Sequence, residues 1–173
     1  MNVRIRRATP GDAEHLQTMV EEIAAEEGHS AAVHVTAHHW RRMLALPEVI
    51  VLFAVDDDRP LGYVSAVRQL SLWAGGPILA LDDLYVRAEA RNRAVGRRLM
   101  QHLAGIADGD DLLIRWEMES DNRAAQRFYL RLGARLRTKV IAVWTPEGYR
   151  DGTGEIAGIH RSAAIAPAEQ VQR

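Results

Sequence analysis

The sequence predicts a mixed α/β domain: one central sheet with helices on both faces. Three observations carry this. Along the chain, hydrophobic periodicity switches between the two-residue repeat of strands and the 3.6-residue repeat of helices. The segments follow the order β-α-α-β-β-β-α-β-α-β, with hairpin-joined strands first and helical crossovers later. The length of 173 residues suits a single domain with its own core.

Val3 to Arg7 alternates apolar and polar residues, as a strand does. Thr9-Pro10-Gly11-Asp12 is a turn and helix start, and Pro is tolerated in a first helical turn. The helix that follows reaches about Glu27, with Ala13, Leu16, Met19, Val20, Ile23 and Ala24 on one face, and Gly28 ends it. Thr36 is an N-cap for a second helix through Trp40, Met43 and Leu44, which stops before Pro47. Val49 to Val55 is a continuous apolar run, hence a buried strand. Asp56 to Pro60 turns, Leu61 to Leu70 returns as the second arm of a hairpin, and Ala74 to Pro77 turns again.

Ile78 to Val86 is the next strand, and the helix after Gly96 carries Leu99, Met100, Leu103, Ile106 and Ala107 at helical spacing. Leu112 to Met118 reads as a strand. Asp121 or Asn122 caps a helix with Ala125, Phe128, Tyr129 and Leu132 on one face, closed by Gly133. Arg135 to Trp144 reads as a last strand or hairpin. We therefore expect one domain over residues 1–145 and an extension over 146–173, with Gly152 to Arg173 a weakly ordered tail.

Composition excludes several classes of function. A formal net charge of -1 gives no support for a protein that lives on nucleic acid. The absence of cysteine removes disulfides, thiolate metal sites and a cysteine nucleophile, and is compatible with a reducing cytosol. No apolar run has the length of a membrane span, and the start of the chain lacks a signal-peptide core. The expected setting is cytoplasmic, away from membranes. His34, His38 and His39 lack matched acidic ligands, so no metal is expected.

The chemistry concentrates after the strand ending Asp82-Asp83-Leu84-Tyr85-Val86. The next segment, Arg91-Asn92-Arg93-Ala94-Val95-Gly96-Arg97-Arg98, leads into a helix. A strand, a turn of outward-facing amides and a helix N-terminus together make an anion site, and a pyrophosphate suits it. Arg91, Arg93, Arg97 and Arg98 add positive charge. A carboxylate pair just before such a loop reads as chemistry placed beside a cofactor. On a regular strand Asp82 and Asp83 face opposite sides; a β-bulge would undo that alternation.

These residues resemble the GCN5-related N-acetyltransferases (GNAT) from about Val3 to Trp144. Arg91-Asn92-Arg93-Ala94-Val95-Gly96 is similar to the family's cofactor loop. Asn122, Ala125, Phe128, Tyr129, Gly133 and Ala134 match its second signature, in the right order. Leu72-Trp73 through Val86 is most similar to the spermidine/spermine N-acetyltransferase group. Two departures stand out: Ala94 sits where Gly is usual, and Asn92 where another Gly is common. A positive φ at residue 94 would cost energy for Ala.

The resemblance implies the GNAT fold, with a mostly antiparallel sheet, and acetyl-CoA as co-substrate. In that reading the amides around Arg91, Asn92, Arg93, Ala94, Gly96 and Arg97 hold the pyrophosphate. The Leu84 amide polarises the thioester carbonyl, and Val86 pairs with the pantetheine arm. Asp82 matches the group's base position, and either Asp82 or Asp83 can take the amine's proton. Tyr129 is the general acid for the departing thiolate. Asn122 either bonds the pantetheine or only caps its helix.

Glu117 and Glu119 either widen a negative acceptor pocket or are solvated. Glu21, Glu22, Glu26 and Glu27 either attract a cation or form a solvated face. Trp73 either lines the acceptor site or packs in the core. The expected activity is acetyl transfer to a primary amine of a small cationic molecule, such as a polyamine, an amino acid or an aminoglycoside, by direct attack in a ternary complex. Alternatives are a protein N-terminal or lysine acetyltransferase and a non-catalytic acyl-CoA sensor. The resemblance also implies a homodimer.

Overall fold

In the computed structural model, which describes residues 2–150, five strands form one sheet in the order β1-β2-β3-β4-β5. They are β1 (Arg4–Arg7), β2 (Val49–Asp56), β3 (Arg59–Ser71), β4 (Gly76–Val86) and β5 (Ile114–Arg115). All neighbours are antiparallel except β4 and β5, which run parallel. The helices are α1 (Ala13–Glu26), α2 (Ala37–Met43), α3 (Val95–Gly109) and α4 (Arg123–Arg131). The chain divides into two compact units, Met1–Ala134 and Arg135–Arg173, and the whole sheet lies in the first.

The continuous apolar runs of β2 and β3 are explained by burial on both sides. One core places Leu16 and Met19 of α1 and Trp40 of α2 against Val51, Phe53, Tyr63 and Tyr85. The other places Leu99, Leu103 and Ala107 of α3, with Tyr129 of α4, against Leu52, Val64, Leu79 and Leu81. Alternate residues of one strand thus serve opposite cores. The β2–β3 hairpin closes through Asp57 and Asp58, whose φ angles of 46° and 67° are those of the turn that fits strand twist. Gly62 faces Val86 across β3 and β4, and a Cβ there would lie 2.5 Å from the Tyr85 carbonyl oxygen. Only glycine permits that approach.

Local signals explain the helix starts. The Thr36 hydroxyl accepts the His39 N–H, and the His39 ring takes the Thr36 N–H at 3.2 Å, so this histidine is part of a cap. Asp12 is buried at the start of α1. It accepts bonds from the Arg6 guanidinium at 2.6 and 2.9 Å and from the Thr9 backbone, which hold its carboxyl far below the usual range.

Two expectations change. The strand expected over Leu112 to Met118 shrinks to Ile114–Arg115, because its ladder with β4 ends at Ala80↔Arg115. Residues 135–145 form no strand, although their composition favours one; a strand needs a partner to hydrogen-bond with, and Val140 and Val143 stand exposed. In this second unit residues 146–150 form a helical turn, with the Trp144 and Tyr149 rings edge to face at 6.0 Å. The expected tail, residues 152–173, lies outside the described residues. Among the described residues no helix is long and apolar enough to cross a membrane.

Candidate active site

The site begins where β4 and β5 part. Leu79 and Ala80 pair with β5; from Leu81 to Val86 β4 runs on without it. The register with β3 decides which way the freed backbone points. The Arg87 N–H donates to the Leu61 carbonyl at 2.9 Å, and Tyr63 lies opposite Tyr85. Antiparallel pairs alternate, so the N–H and C=O groups of Leu84 and Val86 turn away from β3 into the opening. The Arg91 guanidinium donates to the Val86 carbonyl there at 2.8 Å. Such a strand edge can receive an extended ligand as a neighbouring strand.

Between Val64↔Leu84 and Ala66↔Leu81 the register shifts, so Asp82 and Asp83 together oppose Ser65. This bulge replaces simple alternation. Leu79 and Leu81 face the α3 core before it, and Leu84 and Val86 face the same core after it. Asp82 is exposed. Asp83 is half-buried and accepts the Tyr63 hydroxyl at 3.0 Å, while its N–H donates to the Ser65 hydroxyl at 3.1 Å. Burial first, and then the Asp82 charge, push the Asp83 carboxyl up to about 6.

Tyr129 reaches the site from α4. Its ring lies 4.7 Å from Trp116 and 5.1 Å from Phe128, and its hydroxyl has no hydrogen-bond partner among the described residues. Burial, with a smaller push from the Asp83 charge, raises the phenol to about 12. It therefore stays a donor through the physiological range.

The loop after β4 has the form of an anion cradle. Asn92 and Ala94 are left-handed, at φ 60° and 59°, and bracket Arg93. The Arg98 N–H is the first to find a helical acceptor, the Ala94 carbonyl at 3.0 Å. The N–H groups of Val95, Gly96 and Arg97 precede it and have none within the helix. A Cβ on Gly96 would touch Val86 and Phe128 only at 3.6 Å, so what glycine supplies there is bare backbone.

The arginines divide. Arg91 is engaged by the protein itself, on the Val86 carbonyl, on Glu26 and over the Tyr85 ring at 5.9 Å. The side chains of Arg93, Arg97 and Arg98 have no partner among the described residues. Glu22 and Glu26 of α1 are likewise paired, with Arg87 and Arg91, and Tyr85 donates to Glu26. Glu21 accepts from the Gln17 amide at 2.7 Å, and Glu27 lies 3.9 Å from the His29 ring, its charge reaching Asp83.

Asn122 caps α4, its side-chain oxygen accepting the Ala125 N–H at 3.0 Å. Trp73 sits wholly exposed in the β3–β4 turn, most of β4 away from the bulge, and is not brought to the site. Sequence reasoning passed over Tyr63 and Ser65. The available signal was a serine at 65 within the mostly apolar stretch Leu61 to Val67.

Ala94 carries a testable strain. A left-handed conformation costs an L-residue with a Cβ about 1–2 kcal/mol, part of which glycine returns through its freer unfolded chain. Thermal unfolding of Ala94→Gly is expected to show a midpoint about 2 °C higher. A lower midpoint would show that the folded loop gains nothing from glycine here.

This sheet, opened beside a bulged strand and followed by an amide-lined helix start, is an acyltransferase architecture. The Acetyltransferase (GNAT) family profile matches residues 13–134. The thialysine N-epsilon-acetyltransferase of Caenorhabditis elegans is 30% identical over 129 residues, covering 74% of this chain and 80% of that protein. An integron cassette protein from the mobile metagenome of V. cholerae superposes with a TM-score of 0.71 at 25% identity, over 88% of this chain and 98% of that one. An aminoglycoside acetyltransferase from an uncultured soil metagenomic sample gives 0.71 at 16% identity, over 83% and 98%, a likeness of fold. The chain belongs to the GNAT acetyltransferase family and is an N-acetyltransferase.

Proposed function

We propose that the chain transfers an acetyl group from acetyl-CoA to a primary amine of a small cationic molecule, by direct attack in a ternary complex. The observation that carries this is the bulge at Asp82–Asp83, set on the strand edge that β5 leaves open and next to the amide-lined start of α3. An acyl-CoA fits these residues on two counts. Leu84 offers outward backbone where β5 has ended, and the first-turn amides of α3 stand beside Arg93 and Arg97 without partners among the described residues. The relative named for acetylating thialysine at Nε supports an amine acceptor.

Bound acetyl-CoA supplies an activated acetyl group, as a thioester. The amides around Arg93 to Arg97 hold its pyrophosphate, Val86 pairs with its arm through the N–H, and the Leu84 N–H polarises its carbonyl. Asp82, exposed, and Glu27 favour a cation at the mouth. Asp83 accepts the amine's proton, and Tyr129 donates to the departing sulfur.

Magnitudes limit the base. A free alkyl amine titrates near 10, so a carboxylate at about 6 falls roughly 4 pH units short of deprotonating it outright, about 5 kcal/mol uphill. Asp83 therefore pairs with the ammonium at rest; one proton must leave to solvent, at that cost, before the free amine attacks the thioester carbon. Asp83 then takes the second proton, which the nitrogen sheds as the C–N bond forms and the C–S bond breaks.

A thiol-release assay with acetyl-CoA across polyamines, amino acids, aminoglycosides and short peptides tests the reading. We expect release with one class of small cationic amine. Release with peptides alone would make this a protein acetyltransferase. Calorimetric binding of acetyl-CoA without release from any amine would make it a sensor.

A further inference from the structure

We propose that Ser65 and Tyr63 are positioning residues that clamp Asp83 from β3, one hydroxyl on its main chain and the other on its carboxylate. The inference rests on the reading of Asp83 as the base.

Ser65 is 5% exposed and, with Asp12, is one of two buried polar residues among the described ones. A buried serine hydroxyl in the buried stretch of β3 calls for a reason. The reason here is the bulge. Two residues of β4 face Ser65, and the Asp83 N–H finds the Ser65 side chain at 3.1 Å. Without that acceptor the N–H would be half-buried and unpaired, and the bulge could relax toward regular pairing. A one-residue slip turns a side chain to the other face of the sheet.

Tyr63 lies two residues earlier on β3, so its side chain is on the same face as Ser65. It is fully buried in the α1 core and stands opposite Tyr85 in the ladder. From there its hydroxyl reaches diagonally to Asp83 Oδ2 at 3.0 Å. Burial, with the neighbouring carboxylates, drives this phenol far above its ordinary range, so it acts only as a donor. It occupies one carboxylate oxygen and leaves Oδ1 for the acceptor amine.

The groups bearing on Asp83 are Tyr63 from β3, Asp82 beside it on β4 and Glu27 after α1. Tyr129 of α4 lies within range of its charge. Of these, Tyr63 alone favours the ionised form.

The test reads Asp83 directly. In the unliganded protein, carboxyl carbons labelled in aspartate are titrated by NMR, with the Asp83 signal assigned by its loss in Asp83→Asn. Tyr63→Phe removes one oxygen and keeps the ring. It is expected to raise the Asp83 midpoint by about one pH unit. The acid limb of kcat/KM should move with it, so that activity at pH 6 falls about 5-fold further than at pH 8. Ser65→Ala is expected to lower kcat about 10-fold, and Ser65→Thr, which restores the hydroxyl, to recover most of it.

An unmoved midpoint in Tyr63→Phe would overturn the carboxylate half of the clamp. Wild-type kcat in Ser65→Ala would overturn the main-chain half. Both failures differ from failure of the base itself, which would appear as full activity in Asp83→Asn.

Discussion

Asp83→Asn is expected to lower kcat/KM at neutral pH by about 10²–10³-fold and, in the same protein, to raise the thermal midpoint. The two effects share one cause. In the folded chain this carboxyl sits at about 6, against an ordinary 3.8, because burial disfavours its charge. Between those values the folded chain binds the proton and the unfolded chain has lost it. Stability therefore falls as pH climbs from about 4 to about 6 and stays lower above that. The penalty is on the order of 2–3 kcal/mol. Asparagine keeps the size and an acceptor for Tyr63 but carries no charge, so the variant recovers much of it. A rise of about 5 °C at pH 8, shrinking toward pH 4, is the expected signature.

Wild-type kcat/KM should climb with pH through about 6, as a base that must be ionised requires. If Asp83→Asn kept both its rate and this acid limb, the group responsible would lie elsewhere, with Asp82 first in line. An inactive variant that is also less stable would point instead to a structural carboxylate.

What could be read from the sequence and what could not divide along a physical line. The periodic helices were legible because their signal is local: Leu99, Leu103 and Ala107 mark the buried face of α3 whatever lies across from it. The caps Thr36 and Asn122 were legible for the same reason, each meeting an N–H three residues on. Strands depend on partners. Residues 135–145 have the composition of a strand and no ladder, and β5 is cut to two residues by the divergence from β4.

The site shows the same dependence at closer range. Asp82 and Asp83 stand out as a pair in the sequence. Which of them turns inward is decided by a bulge, and Ser65, which meets it, lies 18 residues from Asp83. Arg91 is a cation in the sequence whether it meets phosphate or carboxylate. Its partner Glu26 lies 65 residues away. Ala94 was legible as a departure from glycine, and its φ of 59° shows why glycine is usual there.

Tyr129→Phe is expected to lower kcat about 10²-fold while leaving acetyl-CoA affinity within a few-fold of wild type. The hydroxyl sits on a residue 7% exposed, between Trp116 and Phe128, with no hydrogen-bond partner among the described residues. The ring is buried, but the hydroxyl is not among the buried unpaired polar atoms, so solvent reaches it and its removal relieves no desolvation penalty. The phenylalanine variant should therefore keep a thermal midpoint near that of wild type, and loss of rate at unchanged stability separates a proton donor from a core residue.

The donor's value of about 12 has a kinetic consequence. A phenol held that high remains protonated across the measurable range, so Tyr129 adds no descending limb below that pH. Its help matters most when the leaving thiol is basic. Acetyl donors with more acidic thiols should lose progressively less on Tyr129→Phe, because a better leaving group needs less protonation. A uniform loss across such a series would assign Tyr129 to holding the substrate. A loss that shrinks as the thiol becomes more acidic would assign it to proton donation at sulfur.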